Sequence, residues 1–379
     1  MKIEPFLMER MQSTWENVVR YNLSESGVHP IPLGELVSQE QLQAMLATGL
    51  GYSQSNGTEE LRSIIAAGYA GATLDNILVT TGCSEANFVV TWAMLEPGDE
   101  LLLMLPNYMQ IWGLARSHGA TVEPLRLREE TGWRLDLDAL RALITPRTKL
   151  IAICNPNNPT GAILDEAEME TISNLASRAG CWILADEVYQ GAELDGRTTP
   201  SFWGRYERVI ITNGLSKAYG LPGIRTGWVV APADWIARLW AYHDYLTIGP
   251  STLNDFLARI ALHPQRRPRI VERTQRILQS NLPVLKAWMA AHGEMFTCIP
   301  PRAGAIAFMK YNLPVNSTEL VEKILHEKSV LIVPGDHFGM DRYLRIGYGA
   351  EPDYLRAGLD LIHEVLLEVS AARATQRAT

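Results

Sequence analysis

The chain has 379 residues, 47% of them apolar and 20% charged, with a formal net charge of −8. That length fits one large α/β unit with an appendage, or two to three average domains, and the composition is that of a soluble globular protein rather than a disordered or fibrous one. The acidic surplus gives no electrostatic footprint for nucleic acid or an anionic membrane surface, and no run of 18 uncharged apolar residues suggests a membrane span.

Four cysteines, Cys83, Cys154, Cys181 and Cys298, lack CxxC spacing and sit mostly in apolar runs. They read as buried, reduced thiols, which favours the cytoplasm. Residues 1–23 carry acidic residues early and no continuous apolar stretch, so they do not read as a secretory signal.

In chain order, residues 6–19 are predicted helical, 21–23 extended, and 24–33 a loop containing Gly27, Pro30 and Pro32. Thr58 reads as the N-cap of a helix whose Leu61, Ile64, Ile65 and Tyr69 recur at helical spacing. From residue 76 short apolar runs alternate with amphipathic stretches. Strands are predicted over 76–80, 100–105, 122–127 and 149–154, with helices over 85–95, 109–117, 137–143 and 166–179. Further apolar runs lie at 181–185, 208–212 and 227–231. Runs buried on both faces and separated by helices imply a three-layer α/β domain around a mainly parallel sheet. Residues 233–291 turn helical, interrupted by the charged HPQRRPR (263–269), which reads as a solvated inter-helix loop. The tail mixes strands (305–310, 330–333, 343–348) with helices (317–326, 354–370), and residues 371–379 are expected to fray. The predicted division is a large domain over 49–290, with 1–48 joining 291–379 in a smaller α+β domain.

The chemistry gathers at strand ends. Residues 149–154 run into NPNNPTG (155–161), 181–185 into Asp186-Glu187-Val188-Tyr189, and 208–212 into NGLSKAYGLPGIRTGW (213–228). Ligands of open α/β sheets sit outside the carboxyl ends of the strands. An amide, a carboxylate, a phenol and Lys217 are thus expected in one crevice. Glycine and proline around Lys217 let backbone approach a ligand closely, and the Ser216-Lys217 pair suits a phosphate or a carbonyl compound.

Together with GYSQSNG (51–57), TTGCSEA (80–86), LPNY (105–108), PGDHFG (334–339) and YLRIGYG (343–349), these segments resemble the class I/II aminotransferases, fold-type I enzymes dependent on pyridoxal 5'-phosphate (PLP). The resemblance covers nearly the whole chain. It implies that Lys217 forms the Schiff base with PLP and then moves a proton between Cα and the cofactor. Asp186 is implied to hold the pyridine nitrogen, Asn158 and Tyr189 the ring's phenolate oxygen, and Tyr108 the ring face. For the phosphate it implies the Cys83 and Ser84 amides with the Ser84 hydroxyl at a helix N-terminus, plus Ser216 and Arg225. Many relatives carry a serine three residues before the lysine, where this chain has Gly214.

Tyr52 matches a tyrosine that reaches the phosphate of the neighbouring subunit, which implies a homodimer. Arg345 matches the fork for the substrate α-carboxylate, and Gly27 a backbone close to substrate. Glu25 is unusual, and as a carboxylate beside the substrate it could pair with a basic side chain. No metal site is expected, and His29 and His337 read as structural. The resulting expectation is a ping-pong aminotransferase acting on an L-amino acid and a 2-oxo acid. The alternative is a PLP-dependent lyase, cyclase or oxidase acting on a basic amino acid, like capreomycidine synthase. A DNA-binding regulator is disfavoured, because there is no basic surface for it.

Overall fold

The computed structural model describes residues 3–293 and 295–378. The N-terminal part comprises α1 (Leu7–Trp15), β1 (Tyr21–Asn22), α2 (Leu33–Leu36), α3 (Gln39–Leu46) and α4 (Glu59–Ala66). An alternating stretch follows: β2 (Ile77–Thr80), α5 (Cys83–Met94), β3 (Glu100–Leu105), α6 (Gln110–Ser117), β4 (Thr121–Arg128), β5 (Arg134–Leu135), α7 (Leu137–Leu143), β6 (Thr148–Cys154), α8 (Glu166–Ala179), β7 (Trp182–Asp186), β8 (Val209–Gly214) and β9 (Gly227–Val230). Helices α9 (Ala233–His243), α10 (Thr252–Leu262) and α11 (Arg267–Ala291) lead to β10 (Phe296–Cys298), β11 (Ile306–Tyr311), α12 (Ser317–Lys328), β12 (Val330–Leu331), β13 (Val333–Pro334), β14 (Tyr343–Gly347) and α13 (Pro352–Ala378).

Eight strands form one mixed sheet in the order β2-β9-β8-β7-β6-β3-β4-β5. From β8 to β4 neighbours run parallel, as continuous apolar runs joined through helices require. Successive residues of β3 point to opposite layers. Leu101, Leu103 and Leu105 pack with Val89 and Val90 of α5, while Leu102 and Met104 join Ile151 and Ile153 on the other side.

Strand β9 departs from the parallel pattern and pairs antiparallel with both β8 and β2. No crossover helix lies between β8 and β9, so the chain returns beside the strand it left. The excursion between them carries Lys217. Its ends are tied by Tyr69, whose hydroxyl accepts from Trp228 Nε1 at 3.0 Å and from Asn213 Nδ2 at 3.4 Å.

A second sheet, β10-β11-β14-β13, is antiparallel throughout. The N-terminal segment is laced to this part of the molecule. Strand β1 pairs with β12, Gly347 N–H donates to the Leu23 carbonyl at 2.7 Å, and His29 N–H donates to the Gly349 carbonyl at 2.8 Å. Gly347 and Gly349 make this approach possible. A Cβ on them would stand 2.1 Å from the Glu25 carbonyl oxygen and 2.3 Å from that of Gly27.

Several expectations are corrected. Helix α1 ends at Trp15, short of residue 19, and the N-terminal segment holds two further helices. Of these, α3 is closed by a Ser38–Gln41 capping box. Helix α11 begins inside the charged interruption at Arg267. Residues 371–378, expected to fray, continue α13. Among the described residues no helix is long and apolar enough to cross a membrane.

Candidate active site

A cavity of about 360 Å³ opens at the carboxyl ends of the parallel strands, between that sheet, α1 and the β14 strand. Each structural unit supplies one kind of group. Strand β7 ends on Asp186, the loop after β6 brings Asn158, the excursion after β8 brings Ser216, Lys217 and Arg225, and β14 carries Arg345. Cys83 and Ser84 open α5, and Tyr108 precedes α6.

Asp186 is buried and fully engaged. It accepts from Asn87 Nδ2 at 2.9 Å and Val188 N–H at 3.1 Å, with Cys83 Sγ 3.6 Å away. Asn87 is itself oriented by Thr212, whose hydroxyl donates to Oδ1 at 2.7 Å. Burial raises the Asp186 pKa, against those three donors. A cationic partner such as a protonated ring nitrogen would offset that burial.

Lys217 Nζ lies 2.8 Å from Glu25 Oε1. Burial alone would raise the Glu25 pKa, but the Lys217 charge and hydrogen bond, the Gly27 amide and Arg345 bring it down to about 2. The Ser26 and Gly27 N–H groups donate to the same oxygen at 2.9 and 2.8 Å. Burial lowers the Lys217 pKa, yet Glu25 and Tyr189 prevail and hold it above the ordinary lysine range. In this structure Glu25 is thus engaged with the lysine.

Arg345 is only 1% exposed. It donates through one terminal nitrogen to Asn158 Oδ1 at 3.0 Å and through the other to the Ser24 carbonyl at 2.6 Å, leaving Nε without a partner. Burial lowers its pKa, opposed by Tyr189, Glu25 and Glu9. A buried guanidinium whose partners are an amide oxygen and a backbone carbonyl, with no carboxylate in ion-pair reach among the described residues, suits an anionic ligand group.

At the far end the first turn of α5 has Gly82 as N-cap and no capping side chain. A Cβ on Gly82 would come within 2.5 Å of Arg225 Nη2, and one on Gly227 within 2.4 Å of the Cys83 nitrogen. Arg225 adopts a left-handed backbone, φ 48°, and has no carboxylate partner among the described residues. Its Nη1 lies 3.5 Å from Ser216 Oγ. Helix amides, a serine and a guanidinium that donates to the Pro222 carbonyl at 3.1 Å but meets no carboxylate among the described residues make an anion cradle. Gly214 has a steric reason here, since a Cβ would lie 3.1 Å from the Thr226 carbonyl oxygen and 3.4 Å from the Cys83 nitrogen.

Tyr108 and Tyr189 also line the cavity, Tyr108 with its hydroxyl donating to Glu9 Oε1 at 2.8 Å. Gly27 stands behind the wall, where a Cβ would be 3.2 Å from the Ser216 carbonyl oxygen. Tyr52 is 97% exposed and lies outside the cavity. Neither His29, bound to Gly349 and Glu351, nor His337 lines it. Sequence reading missed Asn87, Glu9, Gln12 and Glu16. Asn87, one helical turn after Cys83 in TTGCSEAN, offered a spacing signal; the face of α1 offered none.

The family model "Aminotransferase class I and II" matches residues 22–362. Capreomycidine synthase of Streptomyces vinaceus is 33% identical over 372 residues, spanning 94% of this chain and 92% of that protein. Aromatic-amino-acid aminotransferase 2 of Thermococcus litoralis is 28% identical over 329 residues, 84% of each. A crystal structure of a PLP-dependent aminotransferase from Streptococcus suis superposes with TM-score 0.91 at 33% identity, covering 97% of this chain and 99% of that one. The anion cradle, the lysine, the buried carboxylate and the buried arginine fit PLP and an amino acid. The chain belongs to the class I and II aminotransferases, PLP-dependent enzymes of fold-type I that move an amino group between an amino acid and a 2-oxo acid.

Proposed function

We propose that amino-group transfer is carried out by Lys217, with Asp186 and Tyr189 tuning the cofactor and Arg345 fixing the substrate carboxylate. The observation that carries the reading is the meeting of Lys217, Asp186, Arg225 and Arg345 around one cavity. PLP supplies, when bound, an electron sink for the pair left at Cα as the proton departs. Lys217 Nζ accepts that proton and returns it, and Glu25 Oε1 holds the amine in place. Asp186, oriented by Asn87, would hold the ring nitrogen. Asn158, whose carbonyl takes Arg345, would offer its amide nitrogen to the ring oxygen, and Tyr108 would lie against the ring. The Cys83 amide, Ser84, Ser216 and Arg225 would hold the phosphate.

We further infer a cytoplasmic homodimer in which Tyr52 of the neighbouring subunit completes the phosphate site. In each subunit, residues 49–290 would form the large domain, and 1–48 with 291–379 the smaller one. Pairing of β1 with β12 supports that division. A second reading, cyclisation, elimination or oxidation of a basic amino acid, draws on the name of the Streptomyces vinaceus relative and on the Glu25 carboxylate beside Lys217.

Addition of an L-amino acid to the yellow holoenzyme is expected to bleach the cofactor band, and a 2-oxo acid to restore it. Ammonia release without an acceptor, or oxygen uptake, would instead establish the second reading. Borohydride is expected to fix the cofactor mass to wild type and not to Lys217→Ala; a fixed mass on the variant removes Lys217 from the mechanism.

A further inference from the structure

We propose that the face of α1 carrying Glu9 and Glu16 is the substrate side-chain pocket, and that it selects amino acids bearing a cationic side chain, a guanidinium or an ammonium. The inference rests on the reading of this cavity as the amino-acid site and names what that reading leaves open.

Glu9, Gln12 and Glu16 follow one another at i, i+3 and i+7, so they share one helical face, and all three line the cavity. Gln12 is committed to structure. Its Nε2 donates to the Ser24 carbonyl and hydroxyl, both at 3.0 Å, and so docks α1 on the segment that carries Glu25. Glu9 takes the Tyr108 hydroxyl on one oxygen, and Glu16 has no side-chain partner among the described residues. Glu16 is also the C-cap residue of α1, where the helix dipole disfavours a carboxylate. Its pKa is raised, first by burial and then by the like charges of Glu25 and Glu9. Three carboxylates thus share one wall, Glu25 paired with Lys217 and Glu16 without a partner of its own among the described residues.

The cations of the cavity are already assigned. Arg225 faces the phosphate cradle, Lys217 the cofactor's aldehyde, and Arg345, buried with Nε unpartnered, the substrate carboxylate. An α-ammonium accounts for one negative charge at most. The remaining acidic wall therefore calls for a second positive group, and the ligand's own side chain is what reaches it.

Calorimetric titration of the PLP-loaded enzyme with L-arginine, L-lysine and L-citrulline decides this, because citrulline keeps the shape and α-groups of arginine and lacks its charge. Arginine or lysine is expected to bind about tenfold or more tightly than citrulline, and the arm that binds better tells guanidinium from ammonium. Glu9→Gln and Glu16→Gln are each expected to shrink that ratio severalfold, whereas Glu4→Gln, at an exposed pair with Arg116, leaves it unchanged. Equal affinity for citrulline and both cations in wild type overturns the proposal, as does an undiminished ratio in the Glu9→Gln/Glu16→Gln double variant. Calorimetry reads the ratio independently of the cofactor band, so failure of the borohydride test leaves this measurement decisive in its own right.

Discussion

Glu25 holds Lys217 toward its ammonium form in this structure, whereas the proposed capture of a carbonyl compound needs the free amine. A lysine attacks only as the free amine, and the 2.8 Å contact with Glu25 favours the ammonium. Replacing Glu25 by Gln removes the largest group raising the Lys217 pKa and leaves burial and Arg345, which lower it, opposed by Tyr189. The pH dependence of PLP capture by the apoenzyme is therefore expected to move to lower pH in Glu25→Gln, read from the rate of band formation across a pH series. A profile unchanged or moved to higher pH would exclude this pairing as the control. The positions of Lys217 and Asp186 in the cavity were legible in the sequence because they follow or end strands, and that of Arg345 through the resemblance carried by YLRIGYG. The partner of Lys217 was not, since Glu25 lies 192 positions away and only folding joins them. The spacing of Asn87 from Cys83 placed it on the same face of α5, but its hold on Asp186 follows only from α5 facing the end of β7.

Strand β14 positions the N-terminal segment through backbone contact, and its glycines set the distance. Gly347 N–H bonds Leu23, Arg345 bonds the Ser24 carbonyl, and a Cβ on Gly347 would meet the Glu25 carbonyl oxygen at 2.1 Å. That obstacle is backbone on both sides, so no rotamer change relieves it. Gly347→Ala is expected to cost about 1–3 kcal/mol, seen as a lower Tm. It is also expected to disturb PLP capture by displacing Glu25, which a purely structural loss elsewhere would not do. An unchanged Tm would show that the segment docks more loosely than the contacts indicate. The alternation of apolar runs and helices made most elements readable, because burial on both faces leaves that imprint. Direction was harder to read. Strand β9 has the same apolar texture as the parallel strands of its sheet, and the missing crossover helix before it is the feature that reverses it. Likewise the acidic face of α1 resembles a solvated one until Gln12 fixes which way it turns.

At the scale of the molecule the cofactor site described by one chain stands apart from Tyr52, which is 97% exposed. Leu50 and Tyr245 are also largely exposed, at 80% and 92%, and the segment carrying Tyr52 is pinned to the α9–α10 connection through Ser53 to Pro250 and Thr252 to Gly51. Exposed aromatic and aliphatic side chains held on an ordered scaffold fit a subunit contact. If Tyr52 serves the opposite subunit, the two defects of Lys217→Ala and Tyr52→Phe belong to one site when the variants are combined as a hybrid. The other site of that hybrid then holds Lys217 from the Tyr52→Phe chain and Tyr52 from the Lys217→Ala chain, and is intact. Mixed, differentially tagged variants purified as hybrids are expected to regain about half the wild-type sites, each with wild-type cofactor affinity. If Tyr52 acts within its own chain, every Lys217-bearing site in the hybrid keeps the Tyr52→Phe defect and no rescue appears. Hybrids that fail to form at all, with each variant monomeric by sedimentation, would overturn the dimer itself.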